Sequence, residues 1–338
     1  MINFQYARAN NVADAVRLIA ADSAAKFIAG GTNLVDLMKE EVERPTQLID
    51  ITRLPLDKVE EIADGGLSIG ALVPNSDLAY NPLIEQRYPM LSSAILAGAS
   101  QQLRNMASTG GNLLQRTRCL YFYDTATPCN KRAPGSGCSA INGINRMNAI
   151  LGTSEDCIAT HPSDMCVALA ALEAKVRVMG PAGERTIAFA DFHRLPRDTP
   201  QRDTNLRHDE IITAVELPAQ GFAANYTYIK IRDRLSYAFA LVSVAAALEL
   251  EGKTIKQARL ALGGVAHKPW RDPAVEARLR GQTADRTAFA DAADILLRDA
   301  KGFAHNAFKI ELARRCVIRA LTQAAMGTPQ SQSSKKIR

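Results

Sequence analysis

The stretch Lys26-Phe27-Ile28-Ala29-Gly30-Gly31-Thr32-Asn33-Leu34 decides how the chain is read. An apolar strand, Lys26 to Ala29, runs into two glycines. Leu34, Leu37 and Met38 then share one face of a helix predicted from Thr32 to Lys39. Glycines between a strand and a helix let the backbone approach a ligand, and amides at a helix N-terminus favour a phosphate. The motif is not Gly-x-Gly-x-x-Gly and lacks the Lys-Ser/Thr of a P-loop. A second glycine turn, Thr109-Gly110-Gly111-Asn112, lies downstream. Either turn alone is only a tight turn. Two of them, in adjacent units, point to a dinucleotide held between them.

Between the second turn and His161-Pro162-Ser163-Asp164 the regular pattern breaks. Residues 113–160 hold Pro128, Pro134, Gly135, Gly137 and Gly143, with four of the six cysteines: Cys119, Cys129, Cys138 and Cys157. The spacing is C-x9-C-x8-C-x18-C. Structural zinc sites pair ligands at about two to four intervening residues, which none of these gaps matches. Four thiolates also suit a [4Fe–4S] cluster, although ferredoxins space them more tightly. A long aperiodic segment needs something to order it, and a metal centre would do so. Arg116, Arg118, Lys131 and Arg132 flank these cysteines, either raising the potential of such a centre or forming a solvated basic loop. Cys166 and Cys316 fall among apolar helical neighbours and read as buried small side chains.

With 338 residues the chain can bury a core and make two or three domains. The net charge of +6 could suggest nucleic acid, but 41 basic residues are scattered among 35 acidic ones. Only Lys335, Lys336 and Arg338 cluster, so the reading is a solvated surface without nucleic-acid binding. No apolar run approaches the roughly 18 residues that span a membrane. The N-terminus lacks the basic and apolar regions of a signal peptide, so cysteines in this chain favour metal over disulfides. By itself the chain reads as cytoplasmic.

The first unit, residues 1–55, is α/β, with a helix carrying Val12, Ala15, Val16, Leu18 and Ile19 and a strand over 47–51. The second, 56–220, carries the insertion at 113–160. Its expected elements are a strand over 66–72, a helix capped by Ser76 and running to Ile84, and a helix over 90–100. Beyond the insertion come a helix over 163–172, a strand over 174–179 and a hairpin through Pro181-Ala182-Gly183 into 185–192. A polar surface loop is expected over 193–209. The third unit, 222–325, reads as a three-stranded antiparallel meander over 226–231, 238–250 and 254–263. Helices follow near 274–280, 286–299 and 306–323, the first opened by Asp272-Pro273. A disordered tail is expected over 326–338. The fold class is α+β.

The first glycine stretch resembles the first flavin loop of the FAD-binding subunits of the xanthine dehydrogenase, or molybdenum hydroxylase, family. Thr109-Gly110-Gly111-Asn112-Leu113 resembles the second. Pro162-Ser163-Asp164 is similar to the segment that directly follows that loop in most relatives, and Ala261-Leu262-Gly263-Gly264-Val265-Ala266 with Pro269 to the C-terminal signature. The likeness covers residues 1 to about 325. The insertion, with Thr117-Arg118-Cys119-Leu120-Tyr121-Phe122-Tyr123-Asp124, Cys129-Asn130-Lys131-Arg132 and Pro134-Gly135-Ser136-Gly137-Cys138, most resembles the flavin subunits of periplasmic aldehyde oxidoreductases.

The resemblance implies a fold of the vanillyl-alcohol oxidase/para-cresol methylhydroxylase type: two FAD subdomains plus a C-terminal α+β domain. It implies FAD contacts from Lys26, Phe27, Ile28, Ala29, Gly30, Gly31, Thr32, Asn33 and Leu34, and from Ser108, Thr109, Gly111 and Asn112. It adds Asp164 near the ribose, and Ile212 and Lys230 near the flavin ring. Cys119, Cys129, Cys138 and Cys157 would hold a [4Fe–4S] cluster. Tyr237-Ala238-Phe239-Ala240 departs from relatives that carry an acidic residue there. The implied role is an electron-transfer subunit of a heterotrimer. A large molybdenum-cofactor subunit would oxidise an aldehyde, a small [2Fe–2S] subunit would relay electrons, and an external acceptor would take them from FAD. A signal on a partner would place the complex in the periplasm. The rival readings are the flavin subunit of a 4-hydroxybenzoyl-CoA reductase-like enzyme, a self-contained flavin oxidase and a zinc-binding interaction module.

Overall fold

A computed structural model describes residues 1–235 and 237–332. In the first unit, β1 (Gln5–Arg8), β2 (Lys26–Ile28) and β3 (Gln47–Asp50) form a parallel sheet in the order β1-β3-β2. The helix Val12–Ala21 makes the crossover that parallel strands require. Asn11 caps it by accepting a hydrogen bond from the Asp14 amide at 2.8 Å, and it buries Ala15, Val16 and Ile19 against the sheet.

The second unit is built on β4 (Val59–Glu61), β5 (Leu67–Gly70), β6 (Lys175–Gly180), β7 (Gly183–Ala188) and β8 (Ile211–Leu217). Their order is β4-β5-β8-β6-β7, antiparallel throughout. The centre of this sheet, β8, was not anticipated. Two apolar helices, Pro89–Ala97 and Asp164–Ala171, lie in its core with Ile95, Met165 and Leu169 buried.

The third unit has β9 (Tyr226–Ile231), β10 (Val242–Glu251) and β11 (Thr254–Gly263) in the order β11-β10-β9. This is the expected antiparallel meander, except that its middle strand starts at Val242 rather than Ala238. The run Val244 to Leu248 is continuously apolar because both faces of β10 are covered. Ala245 and Ala247 join the core of the second unit, while Val244, Ala246 and Leu248 pack against helices of the third. Those helices are Pro273–Leu279, Arg286–Leu296 and Phe308–Ala325.

Several local expectations are corrected. The helix expected from Ser76 to Ile84 is two, Asn75–Ala79 and Pro82–Arg87, because Pro82 cannot continue the first. Asn81 caps the second by accepting from the Leu83 amide at 3.0 Å. The helix after Gly31 starts at Leu34, not Thr32. Thr109 to Leu113 is a short helix capped by Ser108 rather than a turn. At the start of the expected disordered tail, the Gln330 amide donates to Thr227 Oγ1 (3.1 Å) and Gln332 to the Tyr228 carbonyl (3.1 Å). Lys335, Lys336 and Arg338 lie outside the described residues.

The insertion contains only short helical turns, Leu120–Tyr123 and Ser139–Asn142, and is pinned by buried charge. Lys131 is buried and pairs with Asp203, while its ammonium also donates to the Pro200 carbonyl (2.8 Å) and to His267 Nε2 (2.6 Å). His267 Nδ1 in turn donates to the Arg194 carbonyl at 2.8 Å. Arg116 bridges Glu43 (2.5 Å) and Asp203 (2.7 Å). Arg116 and Lys131 are therefore neither a solvated loop nor free charges. The segment 193–209, expected to be a polar surface loop, supplies the Asp203 carboxylate that holds the insertion down.

Candidate functional site

A cleft of about 980 Å³ opens where the three units meet. All nine residues from Lys26 to Leu34 line it, as do Ser108, Gly111, Asn112, Asp164, Ile212 and Lys230. Thr109 is the exception: its Oγ1 donates to the Val73 carbonyl at 2.9 Å and turns the side chain into the core. It is a structural residue of the second loop.

Gly30 is required for a reason different from ligand approach. A Cβ there would stand 1.7 Å from the Met106 carbonyl oxygen. The missing side chain lets the first loop press on the chain that leads into the second. Gly31 has φ +71°, which opens the loop in a left-handed conformation. Among the described residues the amides of Gly30, Gly31, Thr32 and Asn33 have no hydrogen-bond acceptor, and they border the cleft. Such a row of free amides suits a pyrophosphate.

The far wall carries a buried ion pair. Lys230 Nζ donates to Asp164 Oδ2 at 2.7 Å and to the Ala97 carbonyl at 3.1 Å, and Tyr228 donates to Asp164 Oδ1 at 2.6 Å. These bonds fix the Asp164 carboxylate at the start of its helix, where the dipole favours an anion. Burial raises the Tyr228 hydroxyl well above its usual range, so it stays a donor.

His161 and His193 also line the cleft, their rings 4.3 Å apart between centroids. His193 Nε2 donates to the Leu113 carbonyl at 2.8 Å, which leaves Nδ1 as a bare acceptor, and His161 Nε2 is buried without a partner. Burial pushes His193 down to about 4 and His161 well below its ordinary value, so both are neutral near pH 7. Unpartnered buried nitrogens in a cleft fit a polar ligand that brings its own donors. The set His161, Cys166, His193 is also the group of three His, Cys or acidic residues, among the described residues, whose ligand atoms lie within 4.8 Å of one another.

Cys119, Cys129, Cys138 and Cys157 are all unbridged and all line one small cavity. Cys129 and Cys138 face each other across an isolated antiparallel bridge. Burial raises the thiol of Cys119 and lifts that of Cys157 to about 12. A cation entering the cavity must displace those protons. A single zinc with bonds of about 2.3 Å would gather its sulfurs to about 4 Å from each other. No three of these thiols lie within 4.8 Å of one another, so the four are not gathered as a single zinc would hold them. Cys166 and Cys316 are buried apart from this cavity, as expected.

Sequence reasoning missed His193, Asp203 and His267, which no local signal marks. Each acquires its setting from a partner far along the chain.

Residues 2–220 match the family described as "FAD binding domain in molybdopterin dehydrogenase", and residues 226–324 the CO dehydrogenase flavoprotein C-terminal domain. The chain is 52% identical over 322 residues to the aldehyde oxidoreductase FAD-binding subunit PaoB of Escherichia coli, covering 95% of this chain and 98% of that one. It is 28% identical to the glyceraldehyde dehydrogenase medium chain of Sulfolobus acidocaldarius, over 82% of each. The solved carbon monoxide dehydrogenase of Hydrogenophaga pseudoflava superposes with a TM-score of 0.75 at 26% identity, over 97% of this chain and 99% of that one. The glycine-bounded cleft, the α+β units around it and these matches agree: the chain belongs to the FAD-binding subunits of the xanthine dehydrogenase and CO dehydrogenase family.

Proposed function

We propose that this chain is the FAD- and [4Fe–4S]-carrying electron-transfer subunit of a heterotrimeric, molybdenum-containing aldehyde oxidoreductase. The observation that carries the reading is the convergence of four free cysteines on one cavity beside a flavin-type cleft. The relative named as an aldehyde oxidoreductase subunit supports the substrate class.

Bound FAD would supply two-electron and one-electron transfer. The chain's own residues bind and orient it. The free amides of Gly30 to Asn33 receive the pyrophosphate, Ser108 and Asn112 line the second loop, and Asp164 offers a fixed carboxylate to the ribose region. Ile212 and Lys230 border the ring site. The four cysteines hold the cluster, and the Lys131–Asp203 pair keeps the insertion closed over it. In this reading the aldehyde is oxidised in the large molybdenum-cofactor partner, and a small [2Fe–2S] partner connects it to this chain. An external acceptor takes the electrons. A signal-bearing partner carries the folded complex to the periplasm.

Reconstitution tests the assignment. The flavin-loaded chain alone should oxidise no aldehyde. Co-expression with the partner subunits should yield a three-chain complex with aldehyde-dependent acceptor reduction. Aldehyde turnover by the isolated chain, or a complex that reduces 4-hydroxybenzoyl-CoA and leaves aldehydes untouched, would overturn it.

A further inference from the structure

Resting on the reading of the four cysteines as cluster ligands, we infer that Asn148 tunes the reduction potential of that cluster through a hydrogen bond to Cys119. The side-chain amide of Asn148 donates to Cys119 Sγ at 3.5 Å. Asn148 is buried, so water does not compete for this bond. Cys157 receives a comparable bond, but from the backbone amide of Ala159 at 3.4 Å. Asn148 thus contributes a side-chain N–H to a cysteine sulfur, one that another residue type would remove.

The position of Asn148 is fixed from the third unit. Its carbonyl accepts from Lys309 Nζ at 2.8 Å and from Asn306 Nδ2 at 3.3 Å. Its amide donates to the Asn145 carbonyl at 2.9 Å. A backbone held at both ends presents the side chain in one orientation, which is what a directional N–H···S bond needs.

Cys119 is also the thiol on the side of the flavin cleft. A second cavity, about 120 Å³, is lined by Cys119 and Asn148, and none of the other three cysteines reaches it. Arg118, Met147, His161, Asp164 and Phe239 line both this cavity and the cleft. The sulfur that Asn148 contacts therefore sits between the two centres.

Reduction adds one negative charge to a cluster and its thiolates. An N–H aimed at a ligand sulfur stabilises that charge and raises the potential, and its loss lowers it. The experiment is an EPR-monitored redox titration of the intact complex, wild type against Asn148→Ala and Asn148→Asp, with iron and flavin content measured on each. Asn148→Ala should lower the reduced-to-oxidised ratio at fixed potential about tenfold, or about 59 mV for one electron. Asn148→Asp should lower it further, with iron and flavin retained. An unchanged potential at full iron content overturns the inference. Should the variants lose iron, pulsed EPR on wild-type protein grown with 15N-asparagine decides. One amide nitrogen coupled to the reduced cluster supports the inference, and no coupling overturns it. Wild-type protein without iron would instead remove the cluster reading itself, a failure visible before any variant is made.

Discussion

Ser163 Oγ donates to Asn112 Oδ1 at 2.5 Å, joining two residues 51 positions apart in sequence. Asn112 ends the second flavin loop and Ser163 caps the helix that begins with Asp164. Here a cysteine-bearing segment leaves at Leu113 and returns at His161, and this bond closes its neck. Asn112, Ser163 and Asp164 all stand on the cleft wall although this segment separates the first from the other two in sequence.

The contact between Gly30 and the Met106 carbonyl makes the first prediction. Gly30→Ala forces backbone apart, since nothing flexible can yield. Flavin content, read from the visible absorption of the purified protein, should fall at least about tenfold. Gly135→Ala is the control. It has φ +83° but an open surround, and should cost only about 1 kcal/mol with flavin retained.

Removing the carboxylate that partners Lys131 should loosen the insertion. Asp203→Asn leaves a buried ammonium facing a neutral amide, and deprives Arg116 of one of its two acids. Burial by itself would raise the Asp203 carboxyl. Lys131 and Arg116 outweigh it and hold the group well below the usual carboxylate range. Breaking such a pair typically costs about 3 kcal/mol. The thermal midpoint should fall, and limited proteolysis should cut first within residues 113–160. Cleavage starting elsewhere would show that other contacts hold the segment.

Acid should destabilise the chain in a defined window. Buried His193 titrates near 4, against about 6.5 when unfolded. Above about pH 6.5 both states are neutral there. Between about 6.5 and 4 the unfolded chain binds a proton that the folded chain refuses, so stability falls as pH drops. The contribution is of order 3 kcal/mol, complete near pH 4. Urea midpoints measured from pH 7 to 4.5 should decline, and His193→Gln should flatten that decline while lowering stability at pH 7. An identical slope in the variant would place the effect in other groups.

Much of the site was legible because its parts are local. The glycine stretch announces itself by composition, and fifteen of the sixteen residues assigned to the flavin border the cleft. Thr109 stands apart because the short helix it opens turns its hydroxyl toward the Val73 carbonyl, a detail that a glycine motif does not encode. The split at Asn81-Pro82 was readable, since that dipeptide is an N-cap followed by a first-turn proline. The pairing of Asp203 was not, since its partners Arg116 and Lys131 lie 87 and 72 residues away. The same holds for His161 and His193, which meet only once the second unit has closed.

The most direct measurement is the visible absorption spectrum of anaerobically purified protein, with iron, sulfide, zinc and flavin assays, on wild type and Cys129→Ser. The account predicts flavin peaks above a broad iron–sulfur shoulder and about four irons per chain. In the variant the shoulder should be lost and the flavin kept. Flavin without iron in wild-type protein, or zinc in place of both, would contradict it.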